Sequence, residues 1–346
     1  MTATFDGHND VLTREDHAGL VSGRDGGHID LPRMRAGNLR GGIFAVFTPS
    51  SDAWMDVRTL PDGTQEVPYA EPIDQAFAAA DATRAAGRLL AAERAGHLRV
   101  ARTIADLDAA RDGDGPPAAI LSLEGAEAID TGLEALDLWY AAGLRCLGPV
   151  WSRANAFASG VPFRFPSSPD TGPGLTDAGR ALVLRCAELG VLVDLSHLNE
   201  AGFWDVAALD AGPLVASHSG VHAICGASRN LTDRQLDAIG ASGGLVGIVY
   251  ACKFLRPDFA DDDDTPLDLI VQHARHVRDR IGIEHVALGS DFDGATVPAP
   301  LGDVAGLPRL LEAFRAGGFT EAEVTALAWD NWRRVLATWW NDAGPA

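Results

Sequence analysis

The chain has 346 residues, of which 47% are hydrophobic, and it carries a formal net charge of −20. This charge opposes binding to nucleic acids and to anionic membranes, and no stretch approaches the ~18–20 consecutive apolar residues of a membrane span. The length exceeds that of most single domains, but an α/β barrel commonly reaches it, and we expect one domain over residues 1–346.

Eight short apolar or β-branched runs predict buried parallel strands, because helical patterns separate them. They are the opening run and the runs at 41–50, 118–127, 144–151, 190–198, 212–219, 243–250 and 284–294. Helices are predicted from Thr176 to Gly190, from Thr232 to Gly240, over 266–282, and as one long helix from Thr320 to Trp340. The alternation predicts a (β/α)8 TIM-type barrel. A doubly wound open sheet is the alternative, since a count of strands does not show closure.

Two stretches interrupt this alternation. Residues 51–117 are too long for one helix and are predicted to hold two or three inserted helices after strand 2. Residues 159–174 form a Pro/Gly/Ser-rich loop after strand 4, where the rim of an active site would lie. The acidic run at 261–264 lacks the spacing of a calcium loop and is predicted to be a solvated loop.

Cysteine usage and the first residues bear on the compartment. The four cysteines are widely spaced, and the first ten residues lack the basic and apolar regions of a signal peptide. We therefore expect reduced thiols in a cytoplasmic protein. The tryptophan pair at 339–340 predicts core packing or, as the alternative, a contact in a homodimer.

Metal-ligand side chains fall at the ends of five predicted strands. They are His8 and Asp10, Glu124, His197, His218 and Asp291. Taken singly, each histidine has an alternative as a hydrogen-bonded structural residue, and each acid as a helix cap or turn residue. In a barrel, however, all six would meet at the carboxyl-terminal face of the strands, where active sites lie. Three acids buried together would need shifted pKa values unless cations neutralised them.

Three histidines with three carboxylates suit a pair of divalent ions, and the imidazoles favour Zn²⁺. Glu124 is the most central carboxylate and the candidate to bridge two ions that share a hydroxide. Asp291 would then take the proton of the water and pass it to a leaving group, with Asp293 as the alternative. The other histidines are interpreted as structural or solvated, His222 less clearly than the rest.

Five motifs resemble the membrane (renal) dipeptidase family. They are DGHND near the start, SLEGAE around 124, DLSH at 194–197, SHS at 217–219 with SRN at 228–230, and SDFDG at 290–294. The resemblance implies a binuclear zinc barrel of the amidohydrolase type that cleaves dipeptides. It implies that His8 and Asp10 hold one zinc, that His197 and His218 hold the other, and that Glu124 bridges them. Asp291 would be the acid/base.

The resemblance also implies substrate-binding residues. Arg229 matches an arginine that pairs with the free carboxylate of the substrate, for which a guanidinium fork is suited; the alternative is a surface arginine paired with Asp233. Tyr250 matches a second contact position, with a packed tyrosine as the alternative. Trp151 stands where mammalian members have a histidine near the scissile carbonyl, and Asn155 or Arg153 is the candidate replacement for that polar contact.

The resulting hypothesis is a zinc dipeptidase that accepts L-Xaa-L-Xaa and, by the resemblance, L-Xaa-D-Xaa substrates. The first alternative is another amidohydrolase reaction at the same metals, on a lactam, a lactone or an N-acyl amino acid. The second is a metal-binding barrel without activity, against which the retention of Asp291 argues, since a binding protein needs no proton shuttle.

Overall fold

The computed structural model describes residues 2–50, 57–67, 69–113 and 115–340. The strands are β1 Thr4–Asn9, β2 Leu39–Phe47, β3 Arg58–Thr59, β4 Gln65–Val67, β5 Arg99–Val100, β6 Ala118–Glu124, β7 Leu144–Gly148, β8 Phe163–Phe165, β9 Leu192–Val193, β10 Val215–Ser219, β11 Leu245–Ile248 and β12 Val286–Leu288. The α-helices are α1 Gly19–Ser22, α2 Leu31–Gly37, α3 Gln75–Arg94, α4 Ile104–Asp112, α5 Glu134–Ala142, α6 Asp177–Leu189, α7 Glu200–Leu209, α8 Asp233–Ala241, α9 Cys252–Leu255, α10 Leu267–Ile281, α11 Leu307–Ala316, α12 Glu321–Thr325 and α13 Asn331–Trp339.

Eight of these strands form a closed barrel wall. Strands β1, β2, β6, β7 and β9 pair in that order, all parallel, and β10, β11 and β12 form a second parallel run. A bridge from Asp194 to Val215 joins the two runs on one side, and a bridge from Asn9 to Phe292 joins them on the other. The predicted (β/α)8 barrel is confirmed. The open sheet is wrong, because neither run is left with a free edge.

Capping residues in the local sequence set the boundaries of helices on the outside of the barrel. Thr176 caps α6 by accepting from the Gly179 amide, and α6 ends at Gly190 with φ of 73°, a left-handed conformation that suits glycine. Thr232 and Gln235 form the capping box of α8. The predictions for these two helices and for α10 are confirmed. No helix among the described residues is long and apolar enough to cross a membrane.

The long insertion after β2 holds helices and part of a small sheet. Helices α3 and α4 confirm the predicted inserted helices, while residues 51–56, 68 and 114 lie outside the described residues. The hairpin of β3 and β4 was not predicted. Strand β4 pairs antiparallel with β8, which lies in the loop at 159–174. Two irregular segments about 100 residues apart thus combine into a three-stranded sheet beside the barrel.

The end of the chain closes the amino-terminal end of the barrel. The predicted long helix is confirmed as an unbroken helical segment over 321–339, in which a π-helical turn at Ala326–Asp330 separates α12 from α13. Trp329 and Trp332 lie against Phe5 of β1 with ring centroids 5.7 and 5.5 Å away, and the Trp332 indole donates to the Leu288 carbonyl. The wider π turn coincides with this packing of bulky rings. The tryptophans at 339 and 340 are also buried within the chain, as core packing predicts.

Candidate metal centre

Five side chains from the ends of four barrel strands, β1, β6, β9 and β10, meet at the carboxyl-terminal end of the barrel. His197 Nε2 lies 2.9 Å from Glu124 Oε1 and 3.1 Å from His218 Nε2. His8 Nε2 lies 3.5 Å from both Glu124 Oε2 and Asp10 Oδ2. Two trios of ligand atoms, each within 4.8 Å, share Glu124: one with His8 and Asp10, the other with His197 and His218. The two oxygens of Glu124 therefore face different groups of ligands.

The trios have the chemistry of a cation site. His8 Nε2 and Asp10 Oδ1 are buried and have no hydrogen-bond partner among the described residues, a costly arrangement for atoms without a ligand. Burial alone would lower the pKa of His8, but Glu124 and Asp10 outweigh it and hold that pKa well above its usual value. Burial and Arg229 lower the pKa of His197 to about 4, so its ring is neutral. The residues fit a divalent metal with nitrogen and oxygen ligands.

Serine hydroxyl groups orient His197, which follows β9, and His218, which lies in β10. The Ser152 hydroxyl contacts His197 Nδ1 at 2.8 Å, and the Ser217 hydroxyl contacts His218 Nδ1 at 2.8 Å. Ser217 in turn donates to Asp194. Each ring thus has its Nδ1 engaged and its Nε2 facing Glu124, as second-layer partners of metal-binding histidines do.

Asp291 lies beside these groups rather than at the tip of a strand. Strand β12 ends three residues earlier, and Asp291 has a positive φ of 62°, a conformation that aspartate tolerates better than most residues. Its carboxylate forms a third trio with His8 and His218. Burial and the neighbouring Asp10 raise the pKa of Asp291 to about 7. This carboxyl group can hold or release a proton near neutral pH.

A cavity of about 920 Å³ opens beside the cluster. Asp10, Glu124, His197 and Asp291 line its inner end. An aromatic wall beside it consists of Phe47, Trp151, Phe163 and Phe254. The ring centroids of successive members are 5.0, 5.8 and 5.2 Å apart. Phe163 belongs to β8, so the small sheet forms part of the cavity.

Arg229 and Tyr250 lie deeper than the cavity surface. The Arg229 side chain donates to the Ser219 hydroxyl and to the His218 carbonyl, both at 2.8 Å, and the residue is 3% exposed. The alternative of a surface arginine paired with Asp233 is wrong, because Asp233 pairs with Arg280. Tyr250 is fully buried and its hydroxyl has no hydrogen-bond partner among the described residues.

The two candidates for the missing polar contact are engaged elsewhere. Arg153 pairs with Glu127 at 2.7 Å and donates to Thr48 and Ser50. The Asn155 amide donates to the Pro149 carbonyl. Neither lines the cavity, so the expectation that one of them replaces the histidine is wrong. The Arg153 guanidinium lies over the Phe47 and Trp151 rings, 5.4 and 5.5 Å from their centroids, and thereby supports the aromatic wall.

Three further histidines, His28, His222 and His273, make contacts outside the cluster. His222 contacts the Ser167 carbonyl, and His273 links the Val221 amide to the Leu255 carbonyl. His28 lines the cavity and accepts from the Asp293 amide, a position that the sequence did not indicate. The Asp293 side chain is buried against His28 and Arg14, whereas Asp291 joins the ligand trio. This geometry favours Asp291 over Asp293.

Sequence reasoning missed the groups that support the ligands. Asp194 and Ser217 stand within the DLSH and SHS motifs, so their closeness to the histidines was a usable signal. Glu127 stands in the SLEGAE motif, but its pairing with Arg153 depends on a contact between distant segments. Lys253 of the cavity lies in no motif and gave no such signal.

Comparison with known proteins identifies the family of this chain. An uncharacterized protein from the pqqA 5′ region of Klebsiella pneumoniae is 49% identical over 251 residues, which are 72% of this chain and 92% of that protein. A metallo peptidase structure from Rhodobacter sphaeroides, liganded with a phosphinate mimic of the dipeptide L-Ala-D-Ala, is 45% identical with a TM-score of 0.93, covering 98% of this chain and 99% of that one. The probable dipeptidase PvdM from Pseudomonas aeruginosa, 22% identical over 97% of this chain and 95% of its own, shares the fold with a TM-score of 0.81. Because the model of the membrane dipeptidase family (peptidase family M19) matches residues 1–341, the chain belongs to that family.

Proposed function

We propose that this metallo-dipeptidase binds two zinc ions and hydrolyses the amide bond of dipeptides. The observation that carries the proposal is the pair of ligand trios that share Glu124. His8 and Asp10 would hold one ion, His197 and His218 the other, and Glu124 would bridge them. When bound, zinc lowers the pKa of a water and polarises a substrate carbonyl.

Asp291 is the proposed general acid/base. Its carboxyl group reaches the ligand trio, lines the cavity and has a pKa near 7. It would take a proton from the attacking water at one carboxylate oxygen and deliver it to the nitrogen of the leaving amino acid. That pKa belongs to the metal-free chain; bound zinc ions would lower it, so Asp291 would meet the attacking water as a carboxylate ready to accept its proton.

The cavity fits a small substrate with a free carboxylate. Arg229 is the proposed partner of the α-carboxylate, and its buried Nε has no hydrogen-bond partner among the described residues. Trp151 would contact the substrate through its ring, as part of the aromatic wall. Tyr250 is the proposed second contact of the substrate, through a buried hydroxyl group that has no hydrogen-bond partner among the described residues. The ligand of the Rhodobacter sphaeroides neighbour mimics the dipeptide L-Ala-D-Ala, which supports the proposal that L-Xaa-D-Xaa substrates are accepted besides L-Xaa-L-Xaa.

A cytoplasmic location is also proposed. All four cysteines, Cys146, Cys186, Cys225 and Cys252, are buried free thiols, which suits a reducing compartment. A homodimer stays a prediction.

The substrate class is tested with the zinc-loaded enzyme. Libraries of L-Xaa-L-Xaa, L-Xaa-D-Xaa, N-acyl amino acids and lactams are assayed with and without chelator, and bound metal is counted by atomic emission. We expect two zinc ions per chain and chelator-sensitive turnover of dipeptides. Turnover confined to N-acyl amino acids or lactams, or dipeptide hydrolysis that persists without metal, would contradict the proposal.

The role of Asp291 is tested by Asp291→Asn. This variant should retain both ions and lose at least about a hundredfold in kcat, the usual range for removal of a general acid/base. Asp279→Asn makes the same chemical change at an exposed carboxylate on α10 that pairs with Arg278, and it serves as the matched control. Near-normal kcat in Asp291→Asn would remove Asp291 from the mechanism.

A further inference from the structure

The cavity contains the only lysine of the sequence. Every other basic side chain besides the histidines is an arginine, yet Lys253 lies on α9, just after β11, and lines the cavity beside the ligand cluster. Lysine is a flexible point charge, whereas arginine is a planar fork suited to fixed ion pairs. The single lysine is therefore placed where an adaptable cation would meet substrate.

The ammonium group of Lys253 is not engaged by a carboxylate. Among the described residues, no carboxylate oxygen lies within 4.0 Å of its Nζ and no hydrogen bond uses it. Asp261 and Asp263 line the same cavity but are exposed at its mouth. Nζ instead lies 5.5 Å from the centre of the Phe259 ring, a cation–π contact that orients an ammonium without using its N–H donors.

The neighbours of Lys253 connect it to the proposed carboxylate end of the substrate. The next residue, Phe254, contributes to the aromatic wall, and the Arg229 guanidinium lies 5.9 Å from the centre of its ring. Phe254 thus adjoins Lys253 in the sequence and Arg229 in space, which brings Lys253 to the same side of the cavity as the proposed partner of the α-carboxylate.

The charge of the site permits an anionic side chain there. Asp10, Glu124 and Asp291 carry three negative charges at most, and the two proposed zinc ions would exceed them. The described lining also contains Asp261, Asp263 and Asp293. Asp293 is paired with Arg14 and the other two are exposed, so Lys253 is the lining cation that an anionic group beside the cluster would meet. A carboxylate held there would gain charge-assisted hydrogen bonds from a donor that has no competing acceptor.

We propose that Lys253 binds a carboxylate of the substrate, specifically the side-chain carboxylate of the C-terminal residue, so that the enzyme favours dipeptides ending in aspartate or glutamate. This inference rests on the proposed dipeptidase function and adds a substrate class to it. Lys253 is a specificity-determining residue that acts on substrate binding.

The test compares L-Ala-D-Glu with L-Ala-D-Gln, which have nearly the same shape and differ in charge, and uses L-Ala-D-Ala as the reference. If the enzyme accepts only L-residues at the second position, the L,L series replaces them. Wild type should prefer the glutamate substrate in kcat/KM. Lys253→Met should reduce the Glu/Gln ratio by about tenfold or more, mainly through KM, as expected for a lost charged hydrogen bond. Lys253→Arg should restore part of the ratio.

Arg256→Met is the matched control. Arg256 follows the same helix and pairs with Asp258 at 2.7 Å, so its removal changes the net charge equally without altering the cavity. The control should keep the wild-type Glu/Gln ratio. A ratio equal in wild type, Lys253→Met and the control would overturn the inference.

The substrates also distinguish the two carboxylates. Equal losses on all three dipeptides in Lys253→Met, with no loss on L-Ala-D-alaninamide, would place the α-carboxylate at Lys253 and would overturn the side-chain assignment. Absence of dipeptide turnover in wild type would instead refute the proposed function itself, so the two failures are separable.

Discussion

Asp194 offers the sharpest test of how the protein prepares its ligands. Its Oδ1 accepts from the amide and hydroxyl of Ser196 and from the Ser217 amide, at 3.1, 2.6 and 2.8 Å. Its Oδ2 accepts from the Ser217 hydroxyl, which contacts His218 Nδ1. The carboxylate therefore requires Ser217 to donate to it, which leaves the Ser217 oxygen free to accept from an Nδ1–H of His218.

In Asp194→Asn, the three donors at Oδ1 would keep the amide oxygen at that position. The new NH₂ group would then point at Ser217, whose hydroxyl would have to accept from it and donate to His218 Nδ1. This arrangement favours the tautomer with the proton on Nε2, the atom that should bind metal. Changes of this kind typically cost 10–100-fold in metal affinity, which corresponds to about 1.4–2.7 kcal/mol.

The assay is competition between the enzyme and a chromophoric chelator for zinc at pH 7.5. In Asp194→Asn we expect one of the two zinc ions to bind 10–100-fold more weakly. The nitrogen NMR spectrum of the imidazole rings in the metal-free variant should show His218 protonated at Nε2. Asp205→Asn alters a carboxylate that accepts from Leu175 and Arg180 away from the cluster, and should bind zinc normally. Wild-type affinity for both ions in a folded Asp194→Asn variant would refute the reasoning.

Three further predictions concern stability and the cavity. Glu127→Met leaves the fully buried Arg153 without its anion and should lower the free energy of unfolding by about 3–5 kcal/mol, or the Tm by about 4–7 °C. The Glu127→Met/Arg153→Met double variant should be more stable than Glu127→Met in thermal unfolding. A less stable double variant would contradict this account. Trp151→Ala removes part of the aromatic wall but no proposed metal ligand. The KM for dipeptides should therefore rise about tenfold, in line with the loss of one buried aromatic contact, while the zinc content measured by atomic emission stays unchanged. Loss of zinc would assign Trp151 a different role. Burial lowers the pKa of His273 to about 4 in the folded chain, below its unfolded value, so protonation favours the unfolded state and stability falls as pH drops from about 6.5 toward 4. The loss between pH 7 and pH 5 should be about 2 kcal/mol, and His273→Gln, compared with wild type by urea unfolding in chelator, should lack this component; identical pH profiles would be the contrary result.

The clustering of the candidate metal ligands was predictable because one topological rule applies to all of them. His8, Glu124 and His218 follow or end apolar runs that are separated by helices, and parallel strands in a barrel all end at the same face. The positions of these side chains along the sequence therefore imply their closeness in space. The same rule placed Asp291 near them, although β12 ends earlier than predicted.

Residues outside that rule were predictable only in part. Arg229 matched a motif, but its burial under the cavity surface depends on contacts with β10. The wall of the cavity depends on β8 pairing with β4, whose partners, such as Gln65 and Phe165, are a hundred residues apart. Neither segment has a strong strand pattern, and each is extended because the other is present.

The sequence by itself determined the barrel, the boundaries of α6, α8 and α10, and the clustering of the candidate ligands, because each follows from local periodicity, capping or the shared direction of the strands. Only the tertiary structure decided which polar groups support those residues and which cation lines the cavity. Asp194 serves His218 through Ser217, and Arg153 is held by Glu127 while Lys253 has no carboxylate partner among the described residues. The partner of a charged side chain depends on distances between segments remote in the chain, and local sequence does not encode those distances.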